Sequence, residues 1–134
     1  LTPDQVDAVA TRGIPLVLYN RIGEGAAVSS VCCDSVAGEN ELVGRLLAAG
    51  HRCFGIVSGP EDSYVSRERV AAAAACIRAA GLEPAIVPGA FDYASGAQGL
   101  QRLMAETGGA LDALVAANDL MAVGAMDAAR DNFG

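Results

Sequence analysis

The sequence predicts an α/β fold, a parallel sheet flanked by helices, on three observations. Strand-type apolar runs begin near Cys53, Pro84 and Asp112, a period of about 30 residues, which is the length of one βαβ unit. Each run is followed by a loop and then by a segment of helical character. The runs are also apolar along their whole length, as strands covered on both faces are.

Taken in order, residues 3–12 read as a helix, with Thr2 as N-cap and Gly13 as the stop. PLVLYN (15–20) is a compact strand-type run, followed by the Gly-rich RIGEGAA. VSSVCC (28–33) reads as a second strand. Asp34 or Ser35 can cap a helix in which Val36, Leu42, Val43, Leu46 and Leu47 recur at helical spacing, and Gly50 ends it. CFGIVS (53–58) is a strand, and a helix runs from Ser66 to Ala80 before Gly81. PAIVP (84–88) is the next strand, with Phe91 in its loop and a helix over Ser95–Glu106. DALVAA (112–117) leads through Asn118 and Asp119 into a helix from Leu120 to Arg130.

Composition narrows the function. Hydrophobic residues fill 52% of the 134 positions, enough for a core in one domain and too many for a disordered chain. No apolar run approaches the roughly 18–20 residues of a membrane helix. The first residues show neither the basic nor the apolar region of a secretion signal, which favours a cytoplasmic protein. A net charge of −7 is wrong for a nucleic-acid surface, so any DNA-contacting part lies outside this chain. Cys32, Cys33, Cys53 and Cys76 form no CxxC, and His51 has no partner at metal-ligand spacing. The cysteines read as small buried hydrophobes in a reducing cytosol, and neither metal nor cofactor is expected.

In an open parallel sheet, ligands bind outside the carboxyl ends of the strands. The loops that follow the strands hold Asn20, Arg21, Asp62, Ser63, Tyr64, Arg67, Arg69, Phe91, Asp92, Asn118 and Asp119, and these are expected at one edge. No GxGxxG or GxxxxGK[ST] follows a strand, and the chain has no lysine, so a nucleotide cradle is not indicated. A GxSxG elbow is absent, and His51 falls on the opposite edge. Arginine, asparagine and aspartate beside a flat ring instead suit a polar ligand with one flat face, such as a sugar or a purine. Each residue also has a plainer reading. Asp119 can be a helix N-cap with Asn118 its turn partner, Phe91 can be loop packing, and Arg67 and Arg69 can pair with Glu61, Glu68 or Asp62 on a solvated face.

PLVLYNR, VSSVCCDSVAG, LLAAGHRCFGIVSGPEDSYVSRERV, GAFDYASG and VAANDLMAVGAMDAAR together resemble the effector-binding domain of LacI/GalR-family transcriptional regulators. The resemblance covers about Gly13 to Arg130 and implies a type I periplasmic-binding-protein-like fold. It implies a fragment comprising most of one lobe and part of the other: residues 1–34 as a remnant of the N-terminal lobe, and 35–134 as an incomplete C-terminal lobe. The ligand-binding set it implies is Asn20, Arg21, Ser63, Tyr64, Arg69, Phe91, Asn118 and Asp119. Within that set, Asn20 and Arg21 bind effector hydroxyls, Arg69 clamps the effector, Phe91 stacks on it and Asn118 hydrogen-bonds it. Asp119 resembles the cap of the following helix, and Arg67 becomes a structural partner. The chain departs from the family where Ala72 and Ala73 replace a Gly-aromatic pair.

The implied function is sensing of a small effector, sugar or purine-like, held between lobes. Operator DNA would be bound only through a headpiece absent from this chain, with no membrane partner and with a homodimer as the assembly. The helix LMAVGAMDAA, with Met121 and Met126, is a candidate contact surface, and a buried core helix explains those methionines equally well. The alternatives are a periplasmic sugar-binding receptor of a transporter and a small α/β enzyme using Asp62 or Asp119 as base.

Overall fold

A computed structural model describes residues 3–22 and 28–133. The chain forms two compact units, Leu1–Asp34 and Ser35–Gly134.

In the first unit, helix α1 (Pro3–Ala10) is closed by Gly13, whose φ of 70° lies in the left-handed region that glycine adopts without a Cβ clash. Strand β1 (Val17–Tyr19) pairs in parallel with β2 (Ser29–Val31), Val17 facing Ser29. Only Leu18 of these strands is buried, and β2 is exposed throughout. A two-stranded ribbon has few neighbours to cover it. Cys32 and Cys33 lie just past β2 rather than within it, and both are exposed, while Cys53 and Cys76 are half-buried. The expectation of four buried thiols is therefore corrected; all four are free. Most of the RIGEGAA loop, residues 23–27, lies outside the described residues.

The second unit carries α2 (Ser35–Ala48), β3 (Phe54–Val57), α3 (Tyr64–Ala79), β4 (Ala85–Val87), α4 (Tyr93–Glu106), β5 (Ala113–Ala116) and α5 (Asp119–Phe133). Its sheet is parallel, in the order β4-β3-β5, with Ile56 between Ile86 and Val115. Alternate residues of β3 supply two cores. Phe54 and Ile56 pack with Val43 of α2 and Ala73, Ala74 and Ile77 of α3. Val57 packs on the other face with Leu103 of α4 and Met121 of α5. The alanine run at 71–75 is explained by this layer, since small side chains let α3 lie close to both the sheet and α2.

Helices α4 and α5 approach to backbone contact. A Cβ on Gly96 would overlap the Met121 carbonyl, and one on Gly124 would overlap the Tyr93 carbonyl oxygen. Met121 is fully buried beneath them, so of the two readings of this helix the core one holds at Met121. Met126 is exposed.

The amino edge of the sheet is fixed by Asp112. Its carboxylate accepts from the backbone N–H of Arg52 at 3.0 and 3.1 Å and from that of Cys53 at 3.0 Å, tying the entrance of β3 to β5. The Arg52 bond first, and the Cys53 bond with it, holds the carboxyl below its ordinary pKa. His51 stands on this edge, Nδ1 3.7 Å from Asp112 Oδ1.

Candidate functional site

The loop after β3 is held by the helix that it enters. Ser63 is the N-cap of α3, its hydroxyl accepting from the Ser66 N–H at 3.3 Å. That cap starts the helix at Tyr64, two residues before the expected Ser66. Ser66 is buried, and its Oγ accepts from the Gly59 N–H at 2.8 Å. Arg67 donates through Nη1 to the Glu61 carbonyl at 2.9 Å, as the structural partner expected, though to backbone rather than to a carboxylate.

Arg69 lies two residues further, about 200° around the helix. It reaches across the edge of the sheet, and its Nη1 donates to the Ala117 carbonyl at the end of β5, at 2.6 Å. The next residue, Asn118, works in both directions. Its Oδ1 accepts from the Met121 N–H at 3.0 Å, and its Nδ2 donates to the Phe91 carbonyl at 2.9 Å. Asn118 is thus the N-cap of α5. Asp119 is the first helical residue and exposed, which corrects the reading of Asp119 as the cap.

Phe91 adopts φ 64°, a left-handed conformation that costs a bulky residue about 1–3 kcal/mol unless its surroundings hold it. Two contacts hold it. Asn118 grips its carbonyl, and its ring lies on Gly59, where a Cβ would overlap ring carbons. The ring is half-buried, packed against the core around Val57 and Met121 while keeping part of its surface exposed. Asp92 then caps α4 by accepting from the Ser95 N–H at 2.7 Å, a bond that holds its carboxyl below the ordinary range and starts the helix at Tyr93, earlier than the expected Ser95.

Arg69, Phe91 and Asn118 are therefore brought together at the carboxyl edge of one sheet, joined by hydrogen bonds through Ala117 and the Phe91 carbonyl. Ser63 and Tyr64 stand at the start of α3, where the Tyr64 hydroxyl donates to Glu68 Oε1 at 2.9 Å. Asn20 and Arg21 belong to the first unit; Asn20 has φ 52°, and its N–H donates to the Val31 carbonyl at 2.9 Å. Among the described residues, no three His, Cys, Asp or Glu side chains are grouped to hold a metal, and no helix is long and apolar enough to cross a membrane. A cavity of about 550 Å³ opens along α3 and β4, lined by Ser58, Glu61, Arg67, Val70, Arg78 and Ile86 among others. Its lining includes none of the three clustered residues.

Two residues escaped the sequence reading. Ser66 could have been noticed from its three-residue spacing to Ser63 in a loop-to-helix junction. Glu39 gave no signal, because it sits in the polar stretch GEN within α2. Its Oε2 is buried and has no hydrogen-bond partner among the described residues. Burial raises its pKa, and the charge of Arg69 opposes that rise.

Residues 43–132 match the periplasmic binding protein-like domain family. The HTH-type transcriptional regulator AscG of Escherichia coli (strain K12) is 35% identical over 132 residues, which is 96% of this chain and 39% of that protein. A sugar-binding transcriptional regulator of the LacI family from Escherichia coli, solved in complex with phosphate, superposes with a TM-score of 0.81 at 33% identity, over 98% of this chain and 48% of the other. A LacI transcriptional regulator from a Rhodococcus species gives 0.89 at 28% identity, again over 98% and 48%. The chain spans less than half the length of each of these relatives.

Proposed function

The chain belongs to the periplasmic binding protein-like family, and from that premise we propose that it is the effector-sensing core of a LacI-type transcriptional regulator. One observation carries the reading: Arg69, Phe91 and Asn118, from three separate elements, meet at the carboxyl edge of a parallel sheet. A guanidinium fork, an amide and a partly exposed ring suit a small polar ligand with one apolar face, a sugar or a purine-like base. Asn20, Arg21, Ser63, Tyr64 and Asp119 enter as ligand contacts on the family's plan. Residues 1–34 are read as a remnant of an N-terminal lobe and 35–134 as an incomplete C-terminal lobe.

In this reading the chain catalyses nothing and needs no cofactor. A ligand that binds one arrangement of the intact protein more tightly than another shifts the balance between them, and a DNA-binding headpiece outside this chain reports that shift at its operator. The protein works in the cytoplasm as a homodimer. Leu120, Val123 and Met126, exposed at three-residue intervals along α5, form the contact face.

The test is the reading frame upstream of Leu1. About 60 residues encoding a basic helix-turn-helix would support the proposal. An apolar secretion signal there would move the chain to the exported sugar receptors and overturn it. Operator binding by the intact protein, measured with and without sugars, then reads the effector response directly.

A further inference from the structure

Two thiols stand side by side where the chain passes from one unit to the other. Cys32 and Cys33 follow β2, which ends at Val31, and precede α2, which starts at Ser35. The strand pairing stops there too: the Val31 carbonyl accepts from the Asn20 N–H at 2.9 Å, and the two cysteines lie beyond that bond. The division between the units falls after Asp34, the residue next to the pair. Both thiols are exposed and free, whereas Cys53 and Cys76 are half-buried. A cysteine kept only for packing is usually a small buried hydrophobe, which neither of these is. An exposed thiol with a second thiol beside it to resolve its oxidation product is instead the arrangement of a redox-sensing cysteine.

We propose that Cys32 and Cys33 are an oxidant-responsive dithiol, which hydrogen peroxide closes to a disulfide between the two residues. The thiolate of one cysteine attacks a peroxide oxygen, the O–O bond breaks, and a sulfenic acid forms while the departing hydroxide takes up a proton as water. The neighbouring sulfur then attacks the sulfenic sulfur. The S–S bond forms as the S–O bond breaks, and a second water leaves with the remaining thiol proton. The two sulfurs supply the two electrons that reduce the peroxide. Adjacent Cα atoms lie about 3.8 Å apart across a trans peptide, closer than the about 4.4–6.8 Å that disulfides usually span. The bridge is therefore strained and readily reduced, as regulatory disulfides in a reducing compartment are. While closed, its ring contains the peptide bond between the two residues and restricts the backbone that joins the units. This chemistry uses neither Arg69 nor the ligand site, so it stands or falls apart from effector sensing.

The experiment treats the reduced, intact protein that carries this chain with equimolar hydrogen peroxide, digests it with trypsin and weighs the peptides. The chain has no lysine, and Arg21 and Arg45 bound a peptide, 22–45, that holds Cys32 and Cys33 but neither Cys53 nor Cys76. That peptide is expected to lose two hydrogens roughly tenfold faster than the thiols of Cys53 and Cys76 are consumed, and glutathione at cytosolic poise should restore it. Cys32→Ser and Cys33→Ser each keep one thiol, so with dimedone present either variant should stop at a trapped sulfenic acid. A merely structural pair gives neither the bridge in wild type nor the trapped acid in the variants. Unreacted thiols, oxidation to sulfinic acid without a bridge, a bridge to any other cysteine, or a bridge that glutathione leaves closed would each overturn the proposal.

Discussion

Replacing Asn118 by alanine removes two bonds at once, and the structure sets the size of the loss. The N-cap bond to the Met121 N–H contributes about 1 kcal/mol, within the usual range for caps. The bond from Nδ2 to the Phe91 carbonyl contributes about 1 kcal/mol more, and its loss also frees a strained loop residue. Asn118→Ala is therefore expected to destabilise the chain by about 2 kcal/mol. For a second unit of roughly 100 residues, at about 2.1 cal/mol/K per residue, that corresponds to a Tm lower by about 10 °C. Asn118→Asp separates the two bonds. It keeps an acceptor for the Met121 N–H and places negative charge at a helix start, but it cannot donate to Phe91, so it should lose about half as much. Urea or thermal unfolding followed by circular dichroism measures both. An alanine variant within about 0.5 kcal/mol of wild type, or an aspartate variant no more stable than the alanine one, would refute the cap assignment. The same reasoning makes Asn118→Ala a poor probe of ligand binding, because it disturbs the Phe91 loop whether or not a ligand touches it.

Other expectations follow from the packing and the charges. Gly124→Ala drives a Cβ into the Tyr93 carbonyl, so α4 and α5 must part, at a cost of about 1–3 kcal/mol by chemical denaturation. Leu103→Ala, emptying a fully buried position against Gly55 and Val57, should cost about 2–5 kcal/mol in the same assay. The folded pKa of Asp112 lies below its unfolded value, so its contribution is present above the ordinary carboxylate range and is lost as pH falls through the depressed value. Asp112→Asn should flatten the acid side of the stability profile. Glu39 has the opposite sign. Its folded pKa is raised, so stability declines as pH climbs from the ordinary carboxylate value through the raised one, and Glu39→Gln should remove that decline.

Much of the second unit was legible because its signals are local and repeated. Three apolar runs at a fixed period placed β3, β4 and β5, and glycines after helices placed their ends. The errors fell where side chains cap. Ser63, Asp92 and Asn118 each begin a helix one or two residues earlier than hydrophobic periodicity suggests, because a cap is a polar residue outside the periodic pattern. The three-residue cluster was legible only through the topology, which sends Arg69, Phe91 and Asn118 to one edge though 49 positions separate the first from the last (118 − 69). What the sequence could not disclose was use. It did not show that Phe91 lies on Gly59, that Asn118 spends its amide on a carbonyl, or that one oxygen of the half-buried Glu39 has no partner among the described residues. These depend on how helices and loops approach one another, which periodicity does not encode.

Arg69 gives the most direct test of the account. Its bond to the Ala117 carbonyl is one contact at the rim of the sheet, so Arg69→Ala should leave the intact protein folded with only a modest drop in Tm. Its affinity for the sugar that binds wild type, measured by calorimetry, should fall by about 1.5–3 kcal/mol, a loss of roughly 10- to 150-fold. Wild-type affinity in that variant would contradict the claim that this edge of the sheet is where the protein senses its ligand.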